Sequence, residues 1–410
     1  MKTARPLSSS RLWLVQPSLM PPGGGNSVAV WMAEALKKTY RLSILTWKPP
    51  DLCAVNNFYG TDLQAGDFQL YTVPKIWRSL IELDRDPFSI QRLSSLMRYA
   101  KLLRKPGEPA ICAHNEMDLG APCIQYIHYP WMSMHYHDPE RGDAAHSAFA
   151  HRPWARWFGS RAWSRWRPWR LISGFSYKRM RNNITLANSR WTGNLFERIY
   201  QTPATVVYPP VGPCFPAVPW SQRENGFVCV GRISPEKRLG RLIDILTAVR
   251  AAGEPIHLHL VGTTGSARFE QDYYREVKAK TAACADWIFW EENCSRKQLL
   301  QLLSGHRYGV HRMQEEHFGI AVAEFVAAQA LVFAHNSGGP AEILEEFPEL
   351  LFMDDEEAVS KILTVLRSAG LQESLAAKLA TVADRFSANR FMQEIQALVA
   401  STFYPSPVQS

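Results

Sequence analysis

The sequence predicts an α/β chain built from two doubly wound domains. Three observations carry that expectation. The chain has 410 residues, and a single hydrophobic core stops growing near roughly 250–300 residues, so two domains are the default. A strand, a glycine run, a helix and a second strand open the chain. After a proline-broken stretch near residue 205 the same alternation begins again.

Each element follows from pattern and punctuation. Arg11–Pro17 carries the apolar run Leu12-Trp13-Leu14-Val15 and is expected to be a short buried strand. Gly23-Gly24-Gly25 follows it. Ser27–Lys38 is expected to be a helix, with Val28, Trp31, Met32, Ala35 and Leu36 on one face. Arg41–Trp47 is the next strand, and Pro109–Ala113, Cys123–His128 and Ile184–Ala187 are further ones. Val206 to Val211 is apolar and then interrupted by Pro209 and Pro210, as a linker would be. Beyond it, Phe227–Gly231, Ile256–Gly262 and Leu331–Ala334 are expected strands. Leu239–Ala252, Arg296–Ser304 and Gly319–Gln329 are expected helices. The expected division is 1–205, 206–384, and a last helix over 385–400. Met1–Ser10 and Tyr404–Ser410 are expected to be unstructured. No internal repeat is visible.

Composition excludes several classes. No stretch approaches the ~18–20 apolar residues of a membrane span, and Leu12–Val15 is too short for a signal sequence. A cytoplasmic protein is therefore expected. The seven cysteines are scattered, odd in number and without a C-x-x-C pair, which predicts free thiols and no zinc site. The net charge is +8, and its distribution matters more than its sum. From Ala144 to Phe196 there is no acidic residue. Arg152, Arg156, Arg161, Arg165, Arg167, Arg170, Lys178, Arg179, Arg181 and Arg190 fall there, with Trp154, Trp157, Trp163, Trp166, Trp169 and Trp191 among them. Such a block, densest over about 144–181, suits phosphates or an anionic membrane surface, and no nucleic-acid partner is expected.

The chemistry concentrates in Glu315–Leu344. Glu316 and Glu324 are eight positions apart, with Phe318-Gly319 between them where a helix is expected to start. Eight helical steps would cover about 12 Å, wider than the pair of a glycosidase and suited to the two ends of a sugar–diphosphate–ribose. Free N–H groups at Gly319 and Ile320 would offer a diphosphate a seat between them. Glu324 lies in the apolar run Ala321 to Ala328, where a carboxylate needs a partner. Arg232 and Lys237 follow a strand end, where α/β proteins bind ligands, and would neutralise a leaving diphosphate. No D-x-D motif stands in these segments, so no metal or other cofactor is expected. His128 ends a strand before Tyr129-Pro130, and Gly24 and Gly25 would let a phosphate or sugar approach the backbone.

The E-x7-E pair, followed by Asn336-Ser337-Gly338-Gly339-Pro340, resembles the donor-site signature of family-4 (group 1) retaining glycosyltransferases of GT-B fold, two Rossmann-like domains facing across a cleft. Locally it is similar to the GDP-mannose-dependent α-1,2-mannosyltransferases of lipid-linked oligosaccharide synthesis. Gly23–Gly25, Tyr126 to Pro130, Asn188-Ser189, Gly231 to Lys237, and Arg385 to Phe391 also match the family plan. The resemblance implies a nucleotide-sugar donor on the second domain and a glycan or lipid-linked acceptor. It implies donor contacts from Gly24, Gly25, Arg232, Lys237, Glu316, Phe318, Gly319, Ile320 and Glu324. Glu316, His128, Arg232 and Lys237 would carry catalysis. Gln329 departs from the family, which usually has glycine there. The alternatives are a nucleotide-sugar epimerase on the same fold and a non-catalytic protein that binds nucleotide sugars or membranes.

Overall fold

The computed structural model describes residues 11–20, 23–81, 89–134, 168–212 and 215–405. Met1–Ser10, and Trp154, Trp157, Trp163 and Trp166 with their neighbours, lie outside the described residues. The chain divides into two compact units, Met1–Pro210 with Ala388–Ser410, and Val211–Ser387. The change of unit falls after Pro209-Pro210, where the sequence had suggested 205.

Among its described residues the first unit holds a seven-stranded parallel sheet. Its strands are β1 (Arg11–Val15), β2 (Arg41–Thr46), β3 (Phe68–Thr72), β4 (Ala110–Cys112), β5 (Ile124–Ile127), β6 (Ile184–Ala187) and β7 (Thr205–Val206), in the order β3-β2-β1-β4-β5-β6-β7. Alternation along β1 sends Trp13 and Val15 to one apolar cluster and Leu12 and Leu14 to the other, so both faces are covered. Helix α1 (Gly24–Leu36) begins three residues before the expected Ser27, so Gly24 and Gly25 form its first turn rather than a loop. The last helix of the chain (Ala388–Phe403) belongs to this unit. Phe391, Ile395 and Val399, four residues apart, bury one face of it against the cluster that holds Val28 and Met32. Tyr404, expected to be loose, instead stacks on Tyr40 with ring centroids 5.4 Å apart.

The second unit is a six-stranded parallel sheet. Its strands are β8 (Glu224–Val230), β9 (His257–Val261), β10 (Ile288–Glu291), β11 (His306–His311), β12 (Leu331–His335) and β13 (Leu351–Phe352), in the order β10-β9-β8-β11-β12-β13. In both sheets the order reverses at the first strand, between β1 and β4 and between β8 and β11. The crevice at the carboxyl ends beside such a reversal is where open α/β sheets bind ligands.

Candidate active site

In the second unit, β8 and β11 each end in a loop that carries a site residue. Glycines set the approach of the loops. Gly262, just past β9, lies so near Gly231 that a Cβ there would stand 1.9 Å from the Gly231 carbonyl oxygen. After Gly231 the chain passes through Arg232 into a short turn, Pro235–Lys237, that aims Lys237 back at the sheet. From β11 the chain runs through a left-handed Glu315 (φ 51°) to Glu316. Lys237 Nζ and Glu316 Oε2 form an ion pair with both side chains largely covered. His311 Nε2 lies 3.3 Å from the same carboxylate oxygen.

The charges in this group are mutually set. Burial alone pushes the Glu316 carboxyl up, but the Lys237 ammonium and the His311 ring outweigh it and hold Glu316 well below the ordinary carboxylate range. Burial pulls His311 below the usual histidine value. The Glu316 carboxylate opposes that shift, and Lys237 adds to it. The result is an anionic Glu316 against a cationic Lys237, with a histidine held toward its neutral form. Arg312, next in the chain, pairs with Asp355 at 2.8 Å and keeps its buried Nη1 without a partner among the described residues. Arg312 lines one small pocket together with Gly231, Arg232, Lys237 and His311.

A second loop fixes Glu316. Gly339 donates its N–H to the Glu316 carbonyl at 2.8 Å, and Ser337 Oγ accepts the Glu315 N–H at 2.8 Å. A Cβ on Gly338 would stand 2.2 Å from the Glu316 oxygen, and one on Gly339 would stand 2.2 Å from the Phe318 oxygen. The Ser337-Gly338-Gly339 run is therefore a packing surface for the 315–318 backbone. Gly338 also needs its left-handed φ of 68°.

Gly319, itself left-handed at φ 93°, caps the helix Ile320–Ala327 without a side-chain partner. The expected start at Phe318-Gly319 is therefore where the helix begins. The expected eight helical steps are not all helical, because Glu316 stands in a loop and only the steps from Ile320 to Glu324 lie in the helix. Glu324 is buried, and its Oε1 accepts a hydrogen bond from Arg296 Nη1 at 2.5 Å. Arg296 is the partner that a carboxylate in an apolar run requires, and the sequence did not reveal it. Phe318 is buried with its ring 5.9 Å from that of Phe386. Arg232 is not in the Lys237–Glu316 pair. It is exposed and faces Glu236 at 3.4 Å and Glu270 at 3.7 Å.

The first unit brings its own predicted residues together. His128 packs on the first turn of α1, where a Cβ on Gly25 would lie 3.5 Å from its Nε2. That Nε2 lies 3.0 Å from the Ala113 carbonyl, which has no proton to give, so the ring proton sits on Nε2. Burial drives the His128 pKa down to about 4, and the Ala113 contact only partly resists this. A neutral ring with Nε2 engaged offers a lone pair at Nδ1. It can accept from a hydroxyl. Asn115 (φ 51°) and Asn188 hold the His128 backbone at 2.8 and 3.1 Å.

The basic block is partly consumed inside this unit. Arg179 forks onto Asp118 at 2.8–3.1 Å, and Lys101 reaches the same carboxylate at 2.9 Å. Arg170 and Arg181 flank the Tyr177 ring at 5.8 and 5.6 Å. Trp169 and Trp191 pack against the core. These residues are structural, while most of the expected basic and aromatic segment, 144–167, lies outside the described residues. Leu171 remains 82% exposed.

With this geometry in place, similarity to known proteins is informative. Residues 215–381 match the family model of glycosyl transferases group 1. The GDP-Man:Man(3)GlcNAc(2)-PP-Dol alpha-1,2-mannosyltransferase of Dictyostelium discoideum is 28% identical over 255 residues, 56% of this chain and 49% of its own length. The human protein of the same name is 29% identical over 173 residues, 39% of this chain and 35% of its own. The chain thus spans about half or less of the curated relatives it matches. Among solved structures, HepE of Anabaena in complex with UDP-glucose has a TM-score of 0.63 at 15% identity, with 95% of this chain and 99% of that one covered. WaaG, a glycosyltransferase involved in lipopolysaccharide biosynthesis, has a TM-score of 0.67 at 14% identity, covering 96% and 100%. The fold is that of GT-B glycosyltransferases.

Proposed function

We propose that the chain is a retaining glycosyltransferase that transfers a hexose, mannose from GDP-mannose, to a glycan or lipid-linked acceptor. The observation that carries this reading is the Lys237–Glu316 pair beside His311, locked by Gly338 and Gly339, within the residues that match glycosyl transferases group 1. The relatives named as GDP-mannose-dependent mannosyltransferases support the donor.

The residues divide the work. Lys237, with Arg232 and the free Nη1 of Arg312 in the same pocket, offers positive charge to a departing diphosphate. The uncapped N–H groups at Gly319 and Ile320 add to it. Glu316, kept ionised, accepts from a sugar hydroxyl and favours the oxocarbenium-like transition state. Glu324, anchored by Arg296, holds the ribose hydroxyls with its remaining oxygen. Lys237 and Arg232 take the electrostatic role that a divalent ion plays elsewhere, so transfer proceeds in EDTA. His128 accepts from a hydroxyl at Nδ1. Its neutral state favours a sugar hydroxyl over the diphosphate as its partner. The new bond forms on the face the diphosphate leaves, with the leaving phosphate taking the acceptor proton.

The acceptor is read as membrane-borne. Leu171, and Ile76 and Trp77 beside Lys75 and Arg78, expose apolar surface next to basic charge on the first unit. Among the described residues no helix is long and apolar enough to cross a membrane, so a peripheral contact on the cytoplasmic face is the proposed mode. Flotation with anionic liposomes tests it, and a chain that stays unbound refutes it. For the activity, GDP release and mannose transfer from GDP-mannose to lipid extracts are followed with Glu316→Ala as control. Transfer that depends on Glu316 supports the reading. Turnover without acceptor, or none with any nucleotide sugar, refutes it.

A further inference from the structure

One side-chain cluster stands apart from the candidate active site, at the amino ends of the strands of the second unit. Strand β11 carries a histidine at each end: His311 belongs to the site above, whereas His306 opens the strand. His257 and His259 open β9 and, two residues apart, share a face of the sheet. The ligand atoms of these three histidines all lie within 4.8 Å of one another. Their ring centroids are 5.3, 5.2 and 4.7 Å apart.

Three features of the fold place the rings together. Strand β8 runs between β9 and β11, and its Gly226 pairs with His257. A Cβ on Gly226 would stand 2.2 Å from His257 Nε2, so the ring lies across β8 only because that residue has no side chain. The β8–β11 register shifts between His306 and Tyr308, and such an irregularity re-aims a side chain. His257 Nε2 and His306 Nε2 then come to 3.1 Å.

The ring protons are also assigned by their partners. His306 Nδ1 lies 2.9 Å from the Leu302 carbonyl, which can only accept, so that nitrogen carries the proton and Nε2 presents a lone pair. His259 Nδ1 lies 2.8 Å from Glu291 Oε1. A carboxylate or a backbone carbonyl behind a histidine is the outer shell that orients ring nitrogens toward a metal. With metal–nitrogen bonds of about 2.0–2.1 Å, two tetrahedral nitrogens sit roughly 3.4 Å apart, close to the observed pair. Glu224 Oε2 stands 3.5 Å from His257 Nε2 and 3.8 Å from His306 Nε2, in position for a fourth ligand. His306 is buried and Glu224 is largely exposed, so an ion would enter from the Glu224 side.

We infer that His257, His259, His306 and Glu224 form a binding site for a divalent transition metal, zinc by its three-nitrogen, one-oxygen set, that ties together the amino ends of β8, β9 and β11. Four protein ligands leave no open position, so the ion is structural. The sequence expectation of no zinc site counted cysteines and passed over these histidines. The site lies at the opposite ends of the strands from Lys237 and Glu316, and it stands or falls independently of the proposed transferase activity.

The test uses the full chain with any affinity tag removed. After dialysis against zinc and then against buffer, about one zinc per chain is expected by mass spectrometry, with none retained by the double variant His257→Gln, His259→Gln. Glu316→Gln keeps the metal. Zinc at a hundredfold excess over its Kd raises the wild-type Tm by about 5–10 °C and leaves the double variant unmoved. The single variant His257→Gln alters a partly exposed position, and its circular dichroism verifies folding. Cobalt in place of zinc gives the visible absorption of a tetrahedral site. A folded wild type that retains no metal overturns the proposal. So does a folded double or single variant that retains as much as the wild type.

Discussion

Replacing Lys237 with methionine removes one charge and little volume. Lys237 and Glu316 are in direct contact, and their side chains are 18% and 17% exposed. At a charge separation of about 4 Å and an effective dielectric constant near 20, the pair is worth about 4 kcal/mol, in the direction that keeps Glu316 ionised. The same cation facing a departing diphosphate acts at similar range, and loss of one preorganised donor of this kind costs about 10²–10³ in rate. Lys237→Met is therefore expected to lower kcat/KM for GDP-mannose by that factor, read as GDP release. Circular dichroism shows the fold intact. Lys237→Arg keeps the charge but changes its geometry, and it recovers part of the loss. A second readout is stability. The Glu316 pKa is depressed in the folded chain, so its contribution is present above the ordinary value of 4.5 and is lost as pH falls below it. Lys237→Met removes that part of the acid limb. A variant within threefold of wild type in rate, with an unchanged acid limb, would refute the reasoning.

Three other substitutions probe the framework. Gly338→Ala places a Cβ 2.2 Å from the Glu316 oxygen at φ 68°, and it should cost about 3 kcal/mol or more and abolish transfer, as thermal melting and the same assay will show. Gln329 is exposed and held at φ 57°, so Gln329→Gly should raise Tm by about 2–4 °C with activity unchanged, and a fall in Tm would contradict it. Burial raises the Glu116 pKa from 4.5 to about 7, even though Tyr200, Trp131 and Met132 all donate to it. A raised carboxyl stabilises the fold below its unfolded value and loses that contribution as pH rises through 7. Denaturant melts at about pH 5 and about pH 8 should therefore show wild type losing about 3 kcal/mol that Glu116→Gln does not lose.

Much of this was legible in the sequence because the signals were local. The β1 run, the helix start at Gly319 and the βα alternation each rest on a few adjacent residues. The demand that Glu324 have a partner was also readable, but Arg296 was not, since 28 positions separate them and only the fold joins them. Strand β3, Phe68–Thr72, escaped notice because it lies at the sheet edge with exposed Gln69 and Leu70, and so carries no buried apolar run. Gln329 shows a different limit. The departure from the family's glycine was visible, but not its cost, which lies in a left-handed backbone under an exposed side chain. Composition marked the Arg/Trp block as basic and aromatic, yet Arg179 serves Asp118 and Trp169 serves the core, and only coordinates separate such roles from surface ones.

Calorimetric titration of GDP, UDP and ADP into the purified chain, without added metal, tests the central claim most directly. The account predicts that GDP alone binds tightly, and that Lys237→Met weakens it at least tenfold. Failure of all three to bind, or equal binding to wild type and Lys237→Met, would contradict it.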